Sequence, residues 1–199
     1  PLVYDYYGFP EEAYTIQYPA PGNPELAERV LSLLSDGGIP ARIDQERGFD
    51  HGVFVPLILM YPQADIPCVQ LSLVKGLDPL VHLKIGRALA PLLSEDVLIL
   101  GSGFSFHNTR EFFGKRQGQD SQNDAFQIWL SELCTNQDYT EAARAKQFAE
   151  WQQAPFARYC HPREEHLLPI HVCYGMADAP AKRVDELTVL GKRCIAVLW

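Results

Sequence analysis

Helix-like segments and short apolar runs alternate along the first half of the chain. Each helix-like segment has a capping residue and an apolar face, and each apolar run is short enough to be a strand. Between residues 23 and 100 the predicted order is helix, strand, helix, strand, helix, strand. This alternation is typical of a sheet whose strands are joined by helices. The sequence therefore predicts an α/β fold, with residues 1–199 forming a single three-layer domain around a central mixed or mostly parallel sheet with helices on both faces.

The individual elements follow from local signals. Asn23 and Asp78 are expected to cap helices that carry proline at the first position. A buried helix is expected at residues 53–60, with Pro56 in its first turn. The remaining predictions are strands at residues 39–43, 66–73, 97–100 and 194–199, helices at residues 123–134 and 140–153, and a mobile polar loop at residues 114–119.

Charge and composition exclude several classes of function. Acidic residues outnumber basic residues by 25 to 17, which gives a net charge of -8 and argues against a nucleic-acid partner. The sequence contains neither an apolar stretch of about 18 to 20 residues nor the features of a signal peptide. We therefore expect a soluble, cytoplasmic protein without a membrane partner. The 5 cysteines form no Cys-x-x-Cys motif, which favours reduced, packing cysteines.

His107 is the first candidate for a functional residue. It follows the apolar run at residues 97–100 and a Gly-Ser-Gly turn, so it is expected just beyond the carboxyl end of a strand. Open α/β folds bind their ligands at that edge of the sheet. The alternative is a loop histidine that only forms hydrogen bonds.

Two further histidines lie at predicted element ends. His51 follows Asp50 at the entrance of a helix, where the carboxylate and the helix N-terminus have opposite effects on the histidine pKa. A capping or turn role for His51 is the alternative. His166 follows Glu164 and Glu165, which could act as carboxylate ligands but are already explained by a place in the first turn of a buried helix.

A site shared by these three histidines is a hypothesis, because their spacing forms no local motif. Neutral imidazoles suit iron, zinc or copper, and a further histidine can move protons near neutral pH. His82 is expected on a solvated helix face, whereas loop and helix packing explains His161 and His171.

Six blocks of sequence, in order, resemble one known family. The blocks are Tyr6–Pro10, Tyr18–Pro24, Gly48–Leu57, Ala64–Ser72, Gly101–Asn108 and His161–Pro169. Through them the chain resembles the class III extradiol ring-cleavage dioxygenases, the family of LigB-type catalytic subunits, in the branch of DOPA 4,5-dioxygenase-like proteins. The resemblance covers nearly the whole chain and thins over the last twenty residues.

The resemblance implies a non-haem Fe(II)-dependent extradiol dioxygenase. Such an enzyme opens the ring of a catechol, DOPA-like or protocatechuate-like, with O2 to give a muconic semialdehyde. The resemblance makes His166 a metal ligand, and it makes His107 a catalytic base that is also a ligand in zinc-bound members. His51 would be a catalytic proton donor that contacts the substrate. Zn(II) is the alternative metal.

The family pattern also contains two metal-binding histidines in blocks that would precede this sequence. We therefore expect the N-terminal strands and two ligand motifs either to be missing or to be supplied by a separate upstream segment. A smaller sheet would expose an edge that needs a partner, such as a second copy in a homo-oligomer. The alternative function is a non-catalytic small-molecule-binding or interaction protein on the same scaffold. A zinc hydrolase has no supporting motif.

Overall fold

The computed structural model describes residues 2–114 and 120–199. The chain divides into two compact units, Pro1–Ser72 and Leu73–Trp199. Both helices and strands occur, so the predicted α/β class is confirmed. Most of the polar loop predicted at residues 114–119 lies outside the described residues. Within the described ranges, no helix combines the length and the apolar character that a membrane crossing requires.

The first unit contains two helices and a two-stranded parallel sheet. Its elements are β1 (Leu2–Val3), α1 (Pro24–Asp36), β2 (Phe49–Asp50) and α2 (His51–Met60). β1 pairs with β2, so that Val3 lies opposite Asp50. The predicted cap of α1 is confirmed, because the side chain of Asn23 accepts a hydrogen bond from the backbone N–H of Leu26 at 3.0 Å.

α2 begins earlier and is less buried than the sequence predicts. It starts at His51 rather than at residue 53, because the side chain of Asp50 caps its first turn. Pro56 consequently lies inside the helix, beyond that turn. Phe54 is buried, whereas Leu59 is 82% exposed. The prediction of a buried helix is therefore wrong for most of α2, since an apolar run does not show what covers it.

The second unit is mainly helical and ends in a β-hairpin. Its helices are α3 (Pro79–Leu89), α4 (Thr109–Phe112), α5 (Ser121–Thr135), α6 (Glu141–Ala149), α7 (Ala157–Cys160) and α8 (Leu168–Ala177). The hairpin pairs β3 (Arg183–Val189) antiparallel with β4 (Lys192–Leu198). The strand predicted at residues 194–199 and the helix predicted at residues 123–134 are confirmed. The helix predicted at residues 140–153 ends earlier, at Ala149.

The core of the second unit is rich in aromatic side chains. Phe126 of α5, Phe148 of α6, Tyr174 of α8 and Trp151 are fully buried in it. α3 and α8 pack with their backbones in close approach, since a Cβ on Gly86 would lie 2.2 Å from a carbonyl oxygen of α8. The contact lies at Val172 and Gly175, so the middle and the end of α8 pack against α3.

α3 has the predicted cap but buries a different face. Asp78 accepts a hydrogen bond from the N–H of Leu80 at 2.8 Å, and Pro79 is the first helical residue. Leu80 is 61% exposed, whereas His82, predicted on a solvated face, is 1% exposed. Burial of His82 is tolerated because its Nε2 accepts the N–H of Val74 at 3.2 Å and its Nδ1 lies 2.7 Å from the Asp78 carbonyl oxygen.

Three predicted strands are not strands in the structure. Residues 39–43, 66–73 and 97–100 form no ladder with any described segment, although Cys68 makes a single bridge to Gly22. The run at residues 97–100 is not buried on both faces either, because Leu98 is 64% exposed and Leu100 is 43% exposed. An apolar run indicates an extended segment but does not supply its hydrogen-bonding partner. The three-layer arrangement around a central sheet stays a prediction.

A buried ion pair joins β4 to the N-terminus of α5. Lys192 is 5% exposed, and its Nζ lies 2.5 Å from Oδ2 of Asp120, the residue that caps α5. The hydroxyl of Tyr159 donates to the same carboxylate oxygen at 2.8 Å. Burial raises the pKa of Asp120, but the hydrogen bonds from Lys192, Tyr159 and the Asn123 N–H outweigh burial and hold the pKa below its ordinary value.

Replacing Asp120 with Asn should destabilise the protein by roughly 3 kcal/mol at neutral pH, because the buried Lys192 ammonium loses its nearest carboxylate. Since the folded-state pKa of Asp120 is lowered, its contribution is present above the unfolded value of about 3.9 and is lost as the pH falls through the folded value. Denaturant unfolding from about pH 7 to about pH 3 should show the two stabilities converging towards acid. Divergence towards acid would contradict this explanation.

Candidate metal centre

Two of the three candidate histidines lie together in the second unit. The rings of His107 and His166 are stacked, with centroids 3.4 Å apart and an interplanar angle of 17°. Donor atoms of these two imidazoles and of the Glu165 carboxylate all lie within 4.8 Å of one another, and all three residues are partly buried. The third candidate, His51, belongs to the first unit.

Backbone hydrogen bonds bring the two rings together. The N–H of Phe104 donates to the carbonyl oxygen of His166 at 2.9 Å, and the N–H of His107 donates to the carbonyl oxygen of Cys160 at 2.9 Å. Gly103 permits this approach, because a Cβ there would lie 2.3 Å from the His166 carbonyl oxygen. The glycine that follows the apolar run therefore serves close packing of the site.

Asn108 holds the chain on the other side of His107. Its side chain caps the short helix α4, with Oδ1 accepting the N–H of Glu111 at 3.4 Å. Its Nδ2 donates to the carbonyl oxygen of Tyr159 at 2.7 Å. His107 is thus fixed by main-chain contacts before it and by a cap directly after it.

The acidic residues before His166 lie in a turn and not in a helix. α8 begins only at Leu168, whose N–H donates to the carbonyl oxygen of Glu164 at 3.1 Å. The Glu164 carboxylate pairs with Arg158 at 2.7 Å. Burial raises the pKa of Glu164, but this pairing outweighs it and holds the pKa below its ordinary value. The interpretation that a helix start explains both glutamates is therefore wrong.

Glu165 is the carboxylate that lies beside the two imidazoles. Its Oε2 is buried and accepts no hydrogen bond from any residue within the described ranges. The Nε of Arg163 lies 3.2 Å from this oxygen without hydrogen-bond geometry, and the Arg163 side chain is 72% exposed. Burying a carboxylate oxygen without a hydrogen bond is costly unless another positive group satisfies it.

The donor set fits a divalent metal ion. Two histidines and one carboxylate on one face form the ligand set of non-haem Fe(II) oxygenases, and the same donors bind Zn(II). Two protonated rings would repel each other at a separation of 3.4 Å, so the stacking disfavours protonation of both rings at once. Metals bind the neutral form of imidazole. His107, Glu165 and His166 can therefore hold iron or zinc.

The remaining histidines of this region are structural, as the sequence predicts. Nε2 of His161 lies 2.8 Å from the carbonyl oxygen of Ser105, and Nε2 of His171 lies 2.9 Å from that of Phe148. Burial lowers the pKa of each of these histidines to about 4, so both rings are neutral near pH 7.

In the first unit, His51 pairs with Asp5 and not with Asp50. Its Nδ1 lies 2.6 Å from Oδ1 of Asp5, whereas Asp50 caps α2 and pairs with Arg47 at 2.9 Å. Donor atoms of Asp5, Asp50 and His51 also lie within 4.8 Å of one another, but both carboxylates already accept hydrogen bonds. No local signal in the sequence indicates Asp5, which lies 46 positions before His51 and is brought there by the pairing of β1 with β2.

Comparison with known proteins defines the family. The chain matches the LigB family, described as the catalytic LigB subunit of aromatic ring-opening dioxygenase, over residues 1–191. This match shows that the chain belongs to the LigB family. A crystal structure of an uncharacterized protein from Escherichia coli K12 is similar to it, with a TM-score of 0.78 and 32% sequence identity over 92% of this chain and 75% of that chain.

Two curated relatives are more similar in sequence. The 4,5-DOPA dioxygenase extradiol of Beta vulgaris is 42% identical over 181 residues, which cover 90% of this chain and 66% of that protein. The dioxygenase tasH of Hapsidospora irregularis is 40% identical over 192 residues, which cover 91% of this chain and 58% of that protein. The chain thus spans 58% to 66% of the lengths of these relatives.

Replacing Glu165 with Gln should weaken the binding of Fe(II) or Zn(II) by at least about tenfold. Even the loss of a residue that only orients a metal ligand lowers metal affinity by about 10- to 100-fold. The substitution keeps the size of the side chain and removes its charge. Glu28→Gln, at an exposed position of α1, is the matched control and should bind metal as the unsubstituted protein does. Anaerobic competition with a coloured chelator measures the affinity. Equal affinities in all three proteins would show that Glu165 is not a ligand.

Proposed function

We propose that this protein is an Fe(II)-dependent extradiol dioxygenase that opens the ring of a catechol with O2. The observation that carries the proposal is the cluster of His107, Glu165 and His166 in a member of the LigB family. The relative named 4,5-DOPA dioxygenase extradiol favours a DOPA-like catechol as the substrate. A protocatechuate-like catechol is the second substrate to test.

His107, Glu165 and His166 would hold the metal ion. When bound, Fe(II) would supply the electron transfer between an ionised catechol and dioxygen that leads to ring opening. Zn(II) would occupy the same donors but has no redox chemistry, so the zinc form should be inactive. The protein side chains then have to bind the substrate and move its protons.

His107 is suited to take a proton from a catechol hydroxyl. A neutral imidazole accepts a proton near neutral pH, and loss of the hydroxyl proton gives the electron-rich anion that reacts. The same ring nitrogen cannot bind a metal and a proton at once. A neutral imidazole that binds a metal through one nitrogen carries its proton on the other, so no basic nitrogen remains. His107 would therefore act as the base only in a state in which it does not bind the metal.

His51 is suited to contact the substrate and to supply a proton. In its protonated form it would stabilise the negative charge that develops on oxygen as the bond between the two oxygen atoms breaks, and it would then donate its proton there. One ring carbon–carbon bond beside the diol breaks, one oxygen atom becomes part of a carboxylate and the other becomes the aldehyde oxygen. The product is a muconic semialdehyde, and no external reductant is consumed.

Ring opening can be observed directly in the reconstituted protein. After anaerobic loading with Fe(II), aerobic addition of DOPA, protocatechuate or catechol should give a yellow product with equimolar oxygen uptake. His107→Ala should lower the rate by about 100-fold or more, because it removes the base, while thermal unfolding stays unchanged.

The same experiment distinguishes a dioxygenase from a non-catalytic small-molecule-binding protein. A catechol that binds to the unsubstituted, iron-loaded protein without colour or oxygen uptake would contradict the dioxygenase and support a binding protein. Equal binding by His107→Ala would strengthen that second reading. Ring opening that survives His107→Ala would instead overturn the role assigned to this histidine.

A further inference from the structure

The hydrogen bonds between Asp5 and His51 are not needed to begin α2. Asp50 already caps this helix, because its carboxylate accepts the N–H of Gly52 at 3.0 Å. Asp5 and His51 are each 36% exposed, and exposed ion pairs contribute little to stability. The bond between them nevertheless measures 2.6 Å, the short distance of a charge-assisted hydrogen bond. We therefore expect this hydrogen bond to affect the position and protonation of the His51 imidazole more than the stability of the protein.

One carboxylate oxygen of Asp5 fixes both the backbone and the ring of His51. Oδ1 of Asp5 accepts the main-chain N–H of His51 at 3.3 Å as well as contacting Nδ1 of the ring. The two residues are aligned by the parallel pairing of β1 with β2, in which Val3 lies opposite Asp50. Position and orientation of the imidazole are thus set by the same contact.

An aromatic contact also restrains the imidazole of His51. The ring of Tyr6 packs edge-on against it, with centroids 5.9 Å apart and an interplanar angle of 82°. The hydroxyl of Tyr6 donates to the carbonyl oxygen of Ala13 at 2.5 Å, which holds the tyrosine in place. Among the described residues, the carboxylates of Asp5 and Asp50 lie near His51, and Asp50 is in turn paired with Arg47.

The contact also decides which ring nitrogen carries the proton of the neutral imidazole. Burial raises the pKa of Asp5, but the hydrogen bonds from His51 outweigh burial and keep the pKa below its ordinary value. An ionised carboxylate can only accept, so Nδ1 of His51 must donate. Nε2, on the opposite edge of the ring, is then the nitrogen that gains or loses a proton.

We propose that Asp5 is a positioning residue that directs proton exchange by His51 to its Nε2 atom. This inference rests on the proposed function, in which His51 supplies a proton during ring opening. The doubly protonated ring gives its Nε2 proton to the oxygen that gains negative charge and becomes the neutral ring with a proton on Nδ1. Asp5 remains a carboxylate throughout and stabilises the charged ring before the transfer.

The tautomer can be measured without any enzymatic activity. Nitrogen NMR shifts of the His51 imidazole should show the proton of the neutral ring on Nδ1 in the unsubstituted protein. In Asp5→Ala the proton should move predominantly to Nε2, because Nδ1 loses its acceptor. A proton on Nε2 in the unsubstituted protein would overturn the proposal.

The kinetic effect is measured with the iron-loaded protein and a catechol. Asp5→Ala should lower kcat by about 10- to 100-fold with little change in KM, the range found for residues that orient a functional histidine. The kcat of Asp5→Asn should lie between those of Asp5→Ala and the unsubstituted protein, because the amide oxygen can accept the same hydrogen bond but carries no charge. Asp36→Asn, at the exposed end of α1, is the matched control and should leave kcat unchanged.

A double substitution separates positioning from a general structural effect. In a His51→Ala background, adding Asp5→Ala should cause no further loss of kcat, because Asp5 acts through the imidazole. Additive losses, or an Asp5→Ala variant of unchanged kcat, would overturn the proposal while leaving the dioxygenase intact. An unsubstituted protein that opens no ring would instead contradict the proposed function.

Discussion

The contact between Gly103 and the carbonyl group of His166 determines where the candidate metal ligands lie. A side chain at position 103 would meet that oxygen at 2.3 Å, so only glycine lets the two segments approach. The approach allows the N–H of Phe104 to donate to the same carbonyl oxygen, and His107 then stacks on His166. The segments that carry His107 and His166 thus form one site because residue 103 is a glycine and has no Cβ atom.

The rest of the second unit holds this contact in place. The N–H of Ile195 in β4 donates to the hydroxyl of Ser105 at 2.8 Å, and Nε2 of Gln127 in α5 donates to the Ser105 carbonyl oxygen at 2.9 Å. The segment that carries His107 is therefore bonded to a strand and to a helix of the core. Since both hydrogen bonds are directional and the bond from Gln127 is buried, they limit movement of the site more than apolar packing alone would.

Local signals predicted the parts of the structure that depend on neighbouring residues. The caps formed by Asn23 and Asp78 were predictable because a cap involves only the next three positions. The role of Asp5 was not predictable, because its partner His51 is distant in sequence. Glu165 was assigned to the first turn of a helix, but that helix begins later, at Leu168. The family resemblance indicated His107 and His166, and the sequence left both Glu164 and Glu165 open as carboxylate ligands. The choice of Glu165 depends on the turn before α8, which brings Glu165 to the imidazoles and pairs Glu164 with Arg158.

The proposed dioxygenase would insert both atoms of dioxygen into one ring-opened product. The most direct test is mass spectrometry of the product formed from a catechol under isotopically labelled dioxygen, with immediate borohydride reduction of the aldehyde to prevent exchange with water. Each product molecule should then contain two labelled oxygen atoms. A product with a single labelled atom, or labelled hydrogen peroxide with an intact catechol, would contradict it.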